Sequence, residues 1–90
     1  MSTVEIYTKD YCPYCKRAKA ALDRKGVGYD EIDVTTDAIR EMEMVERSHR
    51  HTVPQIFIGD FHVGGSDDLE EAERSGLLDS LLDRREEVGT

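Results

Sequence analysis

The chain opens on a short polar–apolar alternation, Thr3-Val4-Glu5-Ile6-Tyr7, whose β-branched and aromatic members suit a half-buried pleated surface and predict a strand. Thr8-Lys9-Asp10-Tyr11 follows as a polar turn, and then the period changes. From residue 16 to residue 25, Ala18, Ala21 and Leu22 share one stripe among basic residues, which predicts a helix. Pro13 sits where a first helical residue often does, because its missing N–H is not needed there, so Cys12 falls at the N-cap. Gly26-Val27-Gly28 stops that helix. Residues 29–34 alternate again as a second half-buried strand. Thr36-Asp37 is a fair N-cap for a helix reaching about Ser48, with Ile39, Met42 and Val45 on one stripe and Met44 widening it; these are expected in the core. Gln55-Ile56-Phe57-Ile58 reads as a short strand, Gly59-Asp60 as a hairpin turn and Phe61-His62-Val63 as its return. A third helix follows Gly64-Gly65-Ser66, with Asp67-x-x-Glu70 as its expected capping box and Leu69 and Ala72 facing inward. Gly76 interrupts, and Leu77, Leu78, Leu81 and Leu82 predict a last helix closing one side of the sheet. The order β-α-β-α-β-β-α, followed by that last helix, gives an α/β fold, a four-stranded sheet flanked by helices, with no repeat, linker or low-complexity segment.

Ninety residues allow one compact domain and no second core, so residues 1–90 are expected to form a single domain. Hydrophobic residues at 38% and charged residues at 36% suit a small globule, not a disordered chain, and no apolar run approaches a membrane span. The start of the chain runs almost directly into a strand without the pattern of a signal peptide, so a cytoplasmic protein is expected. The net charge of −8 is uneven: residues 67–90 hold nine of the twenty acids and three of the twelve Lys and Arg residues. That balance disfavours nucleic acid, whose phosphates dominate affinity, and reads as solubility. The first helix is locally basic (Lys16, Arg17, Lys19, Arg24, Lys25), which suits an anionic thiol, although Arg24 and Lys25 also complement the helix C-terminus.

The chemistry lies in Cys12-Pro13-Tyr14-Cys15, which contains both cysteines of the chain. Thiols at i and i+3 lie on one helical face and can close a small disulfide. So short a bridge removes little chain entropy, which makes redox switching a better explanation for the pair than stabilisation. At the N-cap, unpaired N–H groups and the helix dipole stabilise an anion, and Lys9 adds a positive charge nearby. Cys12 is therefore expected to be an exposed nucleophile and Cys15, one turn inside, a buried resolving thiol.

Four motifs in order carry a resemblance over nearly the whole chain: Val4-Glu5-Ile6-Tyr7-Thr8-Lys9, Cys12-Pro13-Tyr14-Cys15, Thr52-Val53-Pro54-Gln55-Ile56-Phe57-Ile58 and Gly64-Gly65-Ser66-Asp67-Asp68-Leu69. Together they resemble the glutaredoxins, specifically the small bacterial dithiol type. The resemblance implies a thioredoxin fold, a cis Pro54 that sets the Val53 backbone beside Cys12, and a glutathione-dependent thiol–disulfide oxidoreductase. It implies no bound cofactor, with glutathione as co-substrate, and a glutathione site of Lys9, Tyr14, Thr52, Val53, Pro54, Gly65, Ser66 and Asp67. In that scheme Lys9 holds the glycine carboxylate, the Ser66 and Asp67 N–H groups hold the γ-glutamyl carboxylate, and the Asp67 side chain pairs with the γ-glutamyl amine. Gly65 would let the ligand approach the backbone closely. Arg50 is a further candidate for a carboxylate. The implied partners are disulfide-containing or glutathionylated proteins, with ribonucleotide reductase a family expectation, and the implied state is a monomer.

This chain carries Ser66 where some relatives have a third cysteine, which removes side disulfides at that position. His49, His51 and His62 read as surface or structural residues. Other readings of the same residues remain open. Cys12 and Cys15 could supply half a zinc tetrahedron, but His49-x-His51 lacks the usual ligand spacing. A glutathione-ligated iron–sulfur cluster between two subunits competes with an internal disulfide through Cys15. Reduction by thioredoxin reductase would leave the Lys9 and Asp67 clamp without a use, and a pure binding module would leave the Cys12–Cys15 pair without one.

Overall fold

The computed structural model describes residues 3–88, and side chains as far as Leu82. The elements run β1 (Val4–Thr8), α1 (Pro13–Arg24), β2 (Asp30–Asp33), α2 (Ala38–Ser48), β3 (Gln55–Ile58), β4 (Phe61–Gly64), α3 (Ser66–Ser75) and α4 (Leu77–Val88). The sheet order is β2-β1-β3-β4. β1 pairs with β2 in parallel and with β3 antiparallel, and β3 pairs antiparallel with β4, so the sheet is mixed. The parallel pair requires a crossover, and α1 supplies it.

Alternation along the two central strands sorts the core into two faces. Val4 and Ile6 of β1 and Ile56 and Ile58 of β3 point to one side, where Ala18, Ala21 and Leu22 of α1, Leu69 and Ala72 of α3 and Leu78 and Leu81 of α4 cover them. Tyr7 and Phe57 point to the other side, against Met44 and Val34. The expected strand at 29–34 is confined to Asp30–Asp33 at the sheet edge. Its side chains are mostly solvated, and the buried residue is Val34, just beyond it.

Helix α2 corrects an expectation. Met44 is fully buried, but Ile39 and Met42 are 79% and 63% exposed and Val45 is half-buried. The sheet face beneath this helix explains the rotation. It presents the Tyr7 hydroxyl and Glu5, whose polar atoms need partners when covered. Arg47 provides them, donating to the Tyr7 hydroxyl at 2.8 Å, pairing with Glu5 at 3.0 Å and lying 4.0 Å over the Phe57 ring, while Glu43 accepts from the Tyr7 hydroxyl at 2.5 Å. A helix that turns Met44, Arg47 and Ser48 inward must turn Ile39 and Met42 outward.

The start of α3 also differs from the expected box. Gly65 is the N-cap, and the N3 residue Asp68 reaches back to accept from the Gly65 N–H at 2.9 Å. The strict glycine requirement lies one residue earlier. Gly64 has φ +117°, and a Cβ there would collide with the Asp68 carboxyl group.

Candidate active site

β1 delivers the chain to the head of α1, where Cys12 is the N-cap in an extended conformation and Pro13 the first helical residue. Cys12 Sγ accepts from the Cys15 N–H at 3.3 Å, the contact expected of an N-cap side chain. On its other side the Cys12 thiol donates to the Val53 carbonyl at 3.6 Å. The Val53–Pro54 peptide is cis, as the resemblance implied. Together these neighbours cover more of Cys12 than its expected exposure allowed: it is 8% accessible, against 1% for Cys15. Tyr11 and Tyr14 flank it and are both exposed. Burial, the largest cause, pushes the Cys15 thiol up to about 12, with the Cys12 side chain adding to the rise and the Lys9 backbone and Lys19 opposing it.

A cleft of about 300 Å³ runs from Tyr14 and Val53, whose carbonyl faces Cys12 Sγ, along the cis loop to the head of α3, at the lower end of small-molecule sites. Tyr14, Thr52, Val53, Pro54, Gly65, Ser66 and Asp67 line it, so seven of the eight expected glutathione residues share one cleft. At its far end the Ser66 and Asp67 N–H groups lie in the first turn of α3, without intrahelical acceptors. Ser66 Oγ is buried there without a hydrogen-bond partner among the described residues.

Lys9, the eighth, lies outside the cleft lining and pairs with Glu41 of α2 at 3.1 Å. Arg50 and Asp68 join the cleft, with Arg50 Nη1 2.8 Å from Asp68 Oδ2. That guanidinium, with the Gly65 N–H, holds the Asp68 carboxyl below its ordinary range. His51 instead borders a separate groove on α2 with Met42 and Val45. Two further residues, Gln55 and His62, were read only as strand and surface positions. Gln55 is fully buried and donates to the Thr52 carbonyl and hydroxyl, and His62 meets its amide oxygen. No sequence spacing could reveal this, since it depends on the β3–β4 register. Among the described residues no group of three or more His, Cys, Asp or Glu residues is placed to hold a metal ion.

A buried thiol one turn inside a helix-capping thiol, opposite a cis-proline loop on a four-stranded mixed sheet, defines a thiol–disulfide exchange protein of the thioredoxin fold. The glutaredoxin family model matches residues 4–63. The chain is 54% identical over 82 residues to glutaredoxin 3 of Escherichia coli strain K12, covering 91% of this chain and 99% of that one. Among solved structures it is similar to the solution structure of glutaredoxin from Brucella melitensis, with a TM-score of 0.80 and 57% identity over 91% of this chain and 89% of that chain. It is also similar to the buckwheat glutaredoxin–glutathione complex, with a TM-score of 0.84 and 30% identity over 92% and 78%. The chain belongs to the glutaredoxin family, oxidoreductases that act on disulfides with glutathione as substrate.

Proposed function

We propose that Cys12 is the attacking sulfur and Cys15 the resolving thiol of two glutathione-dependent routes. The observation that carries this reading is the position of Cys12 Sγ, held between the Cys15 N–H and the carbonyl of Val53, which itself lines the cleft. In the dithiol route the Cys12 thiolate attacks a protein disulfide, forming a mixed disulfide and expelling one substrate sulfur as thiolate. Cys15 then attacks Cys12 Sγ and the second substrate sulfur leaves, taking up the proton that Cys15 gives up. One glutathione opens the Cys12–Cys15 disulfide to Cys12–glutathione and the Cys15 thiol. A second releases glutathione disulfide and restores the dithiol. In the monothiol route Cys12 takes glutathione directly from a glutathionylated protein, and external glutathione completes the cycle without Cys15.

The cleft supports this assignment. Once Cys12 is in a disulfide its thiol no longer donates to the Val53 carbonyl, which becomes available to the cysteinyl N–H of bound glutathione in strand-like pairing. The Ser66 and Asp67 N–H groups take the γ-glutamyl carboxylate, the Asp67 side chain takes its amine, and Gly65 and Pro54 shape the wall between. Lys9 reaches the glycine carboxylate by exchanging its partner Glu41. Reduction driven by glutathione suits a reducing compartment such as the cytoplasm. Asp67→Ala tests the assignment through turnover at limiting glutathione. Losing one charged contact of about 1–2 kcal/mol predicts roughly 5- to 30-fold weaker glutathione use, with turnover recovering at saturation. Parent-like glutathione dependence would remove the cleft from the reaction.

A further inference from the structure

Gln55 is fully buried at the first position of β3, yet both ends of its amide are engaged. Nε2 donates to the Thr52 carbonyl at 3.0 Å and to Thr52 Oγ1 at 3.2 Å, and Oε1 lies 2.7 Å from His62 Nε2. A carbonyl only accepts, so the NH2 end must face Thr52 and the oxygen must face His62. His62 must then carry its proton on Nε2. The direction of the whole chain of hydrogen bonds, His62 to Gln55 to Thr52, is set by one obligatory acceptor.

From this geometry we propose that His62, acting through Gln55, is a positioning residue for the Thr52–Val53 segment that receives glutathione. The proposal rests on the glutathione reading above. A single NH2 group pins both oxygens of Thr52 three residues back, across the turn that contains the Val53–Pro54 bond. The adjacent Val53 carbonyl is the group facing Cys12 Sγ.

His62 is itself rigidly placed. It lies opposite Phe57 in the β3–β4 register, its ring stacked on Phe57 at 4.8 Å and 26°. Arg47 also sits over the Phe57 ring, 4.0 Å from its centroid. Burial favours the neutral ring, helped by Arg50, His49 and Arg47 and opposed by Asp68. An imidazolium would still donate from Nε2, so the chain of bonds survives either charge state.

Removing the donor leaves Gln55 Oε1 buried without a partner, and flipping the amide would set Oε1 against the Thr52 carbonyl. Either outcome loosens Thr52, and the loss falls on glutathione recognition before it falls on the chemistry at sulfur.

The test compares His62→Phe, which keeps a ring against Phe57 but has no donor, with His62→Gln, which restores an N–H. Turnover is measured at limiting and at saturating glutathione, beside the rate of Cys12 alkylation. His62→Phe should lower turnover at limiting glutathione about five- to tenfold and leave saturated turnover and alkylation within about twofold of the parent. His62→Gln should recover most of the loss. Nitrogen NMR of the parent should find the His62 proton on Nε2 across pH 6–8, a readout independent of any variant's folding. A proton on Nδ1, parent-like glutathione dependence in His62→Phe, or no recovery in His62→Gln would each overturn the proposal. Asp67→Ala measured alongside separates the two failures. A glutathione defect there but none in His62→Phe sinks only this inference, whereas no defect in either sinks the glutathione site as well.

Discussion

Alkylating Cys15 in a Cys12→Ser variant isolates the property on which its proposed resolving role depends. Its pKa stands at about 12 against an ordinary 9.0, and burial is the largest cause. At pH 7 that difference lowers the thiolate fraction from about 1 in 10² to about 1 in 10⁵, a thousandfold loss corresponding to about 4 kcal/mol. Cys12→Ser removes the part of the rise that comes from the neighbouring sulfur and leaves the burial. The assay is the pseudo-first-order rate of iodoacetamide modification from pH 7 to pH 11, with circular dichroism recording where the fold persists. Poor access slows the reaction equally at every pH, so the shape of the profile reports ionisation alone. The rate should still climb tenfold per unit at pH 10. The sign follows from burial: the neutral thiol is the form the folded interior favours, so ionisation is delayed to higher pH. A plateau at or below pH 9 would show that burial does not hold Cys15 protonated. Cys15 would then compete with Cys12 for substrate disulfides instead of waiting for a mixed disulfide.

Met44→Ala should cost about 2–5 kcal/mol in urea unfolding, because the side chain is fully buried, whereas Met42→Ala should stay within about 0.5 kcal/mol. Equal costs would contradict the rotation of α2 described above. Gly64→Ala should destabilise by roughly 1–3 kcal/mol, since it combines a positive φ with a collision at Asp68, and unchanged thermal unfolding would refute that. Asp68→Asn should cost about 1 kcal/mol through the weakened Gly65 cap and the lost Arg50 pair. Because the folded carboxyl is held below its ordinary value, its contribution is present above about pH 4 and lost as the pH falls. The variant should therefore lose less stability than the parent on acidification, and parallel stability–pH curves would contradict this.

The hydrophobic pattern made the element order legible, as did the helix start at Pro13, because strands and caps are written in local sequence. Orientation of α2 was not legible. Its inward stripe is chosen by Tyr7 and Glu5 on a strand more than thirty residues away, so the apolar spacing of Ile39 and Met42 misled. The cis Pro54 and the convergence of Thr52 and Val53 with Gly65, Ser66 and Asp67 came from resemblance, since nothing local brings two distant loops together. Exposure of Cys12 was overestimated because the covering Val53 carbonyl lies 41 residues away. The Gly65 cap by Asp68, in place of an Asp67 box, turned on a shift of one residue at the helix start, where neighbouring acids offer equivalent local signals.

The division of labour between the two sulfurs is tested most directly by giving Cys12→Ser and Cys15→Ser the same two substrates, a glutathionylated protein and a protein disulfide, with glutathione as reductant. Cys12→Ser should fail on both, because a hydroxyl supplies no thiolate. Cys15→Ser should keep deglutathionylation, fail on the protein disulfide, and accumulate a mixed disulfide that peptide mapping places on Cys12. Residual turnover in Cys12→Ser, or loss of both activities in a folded Cys15→Ser, would contradict the roles assigned to the pair.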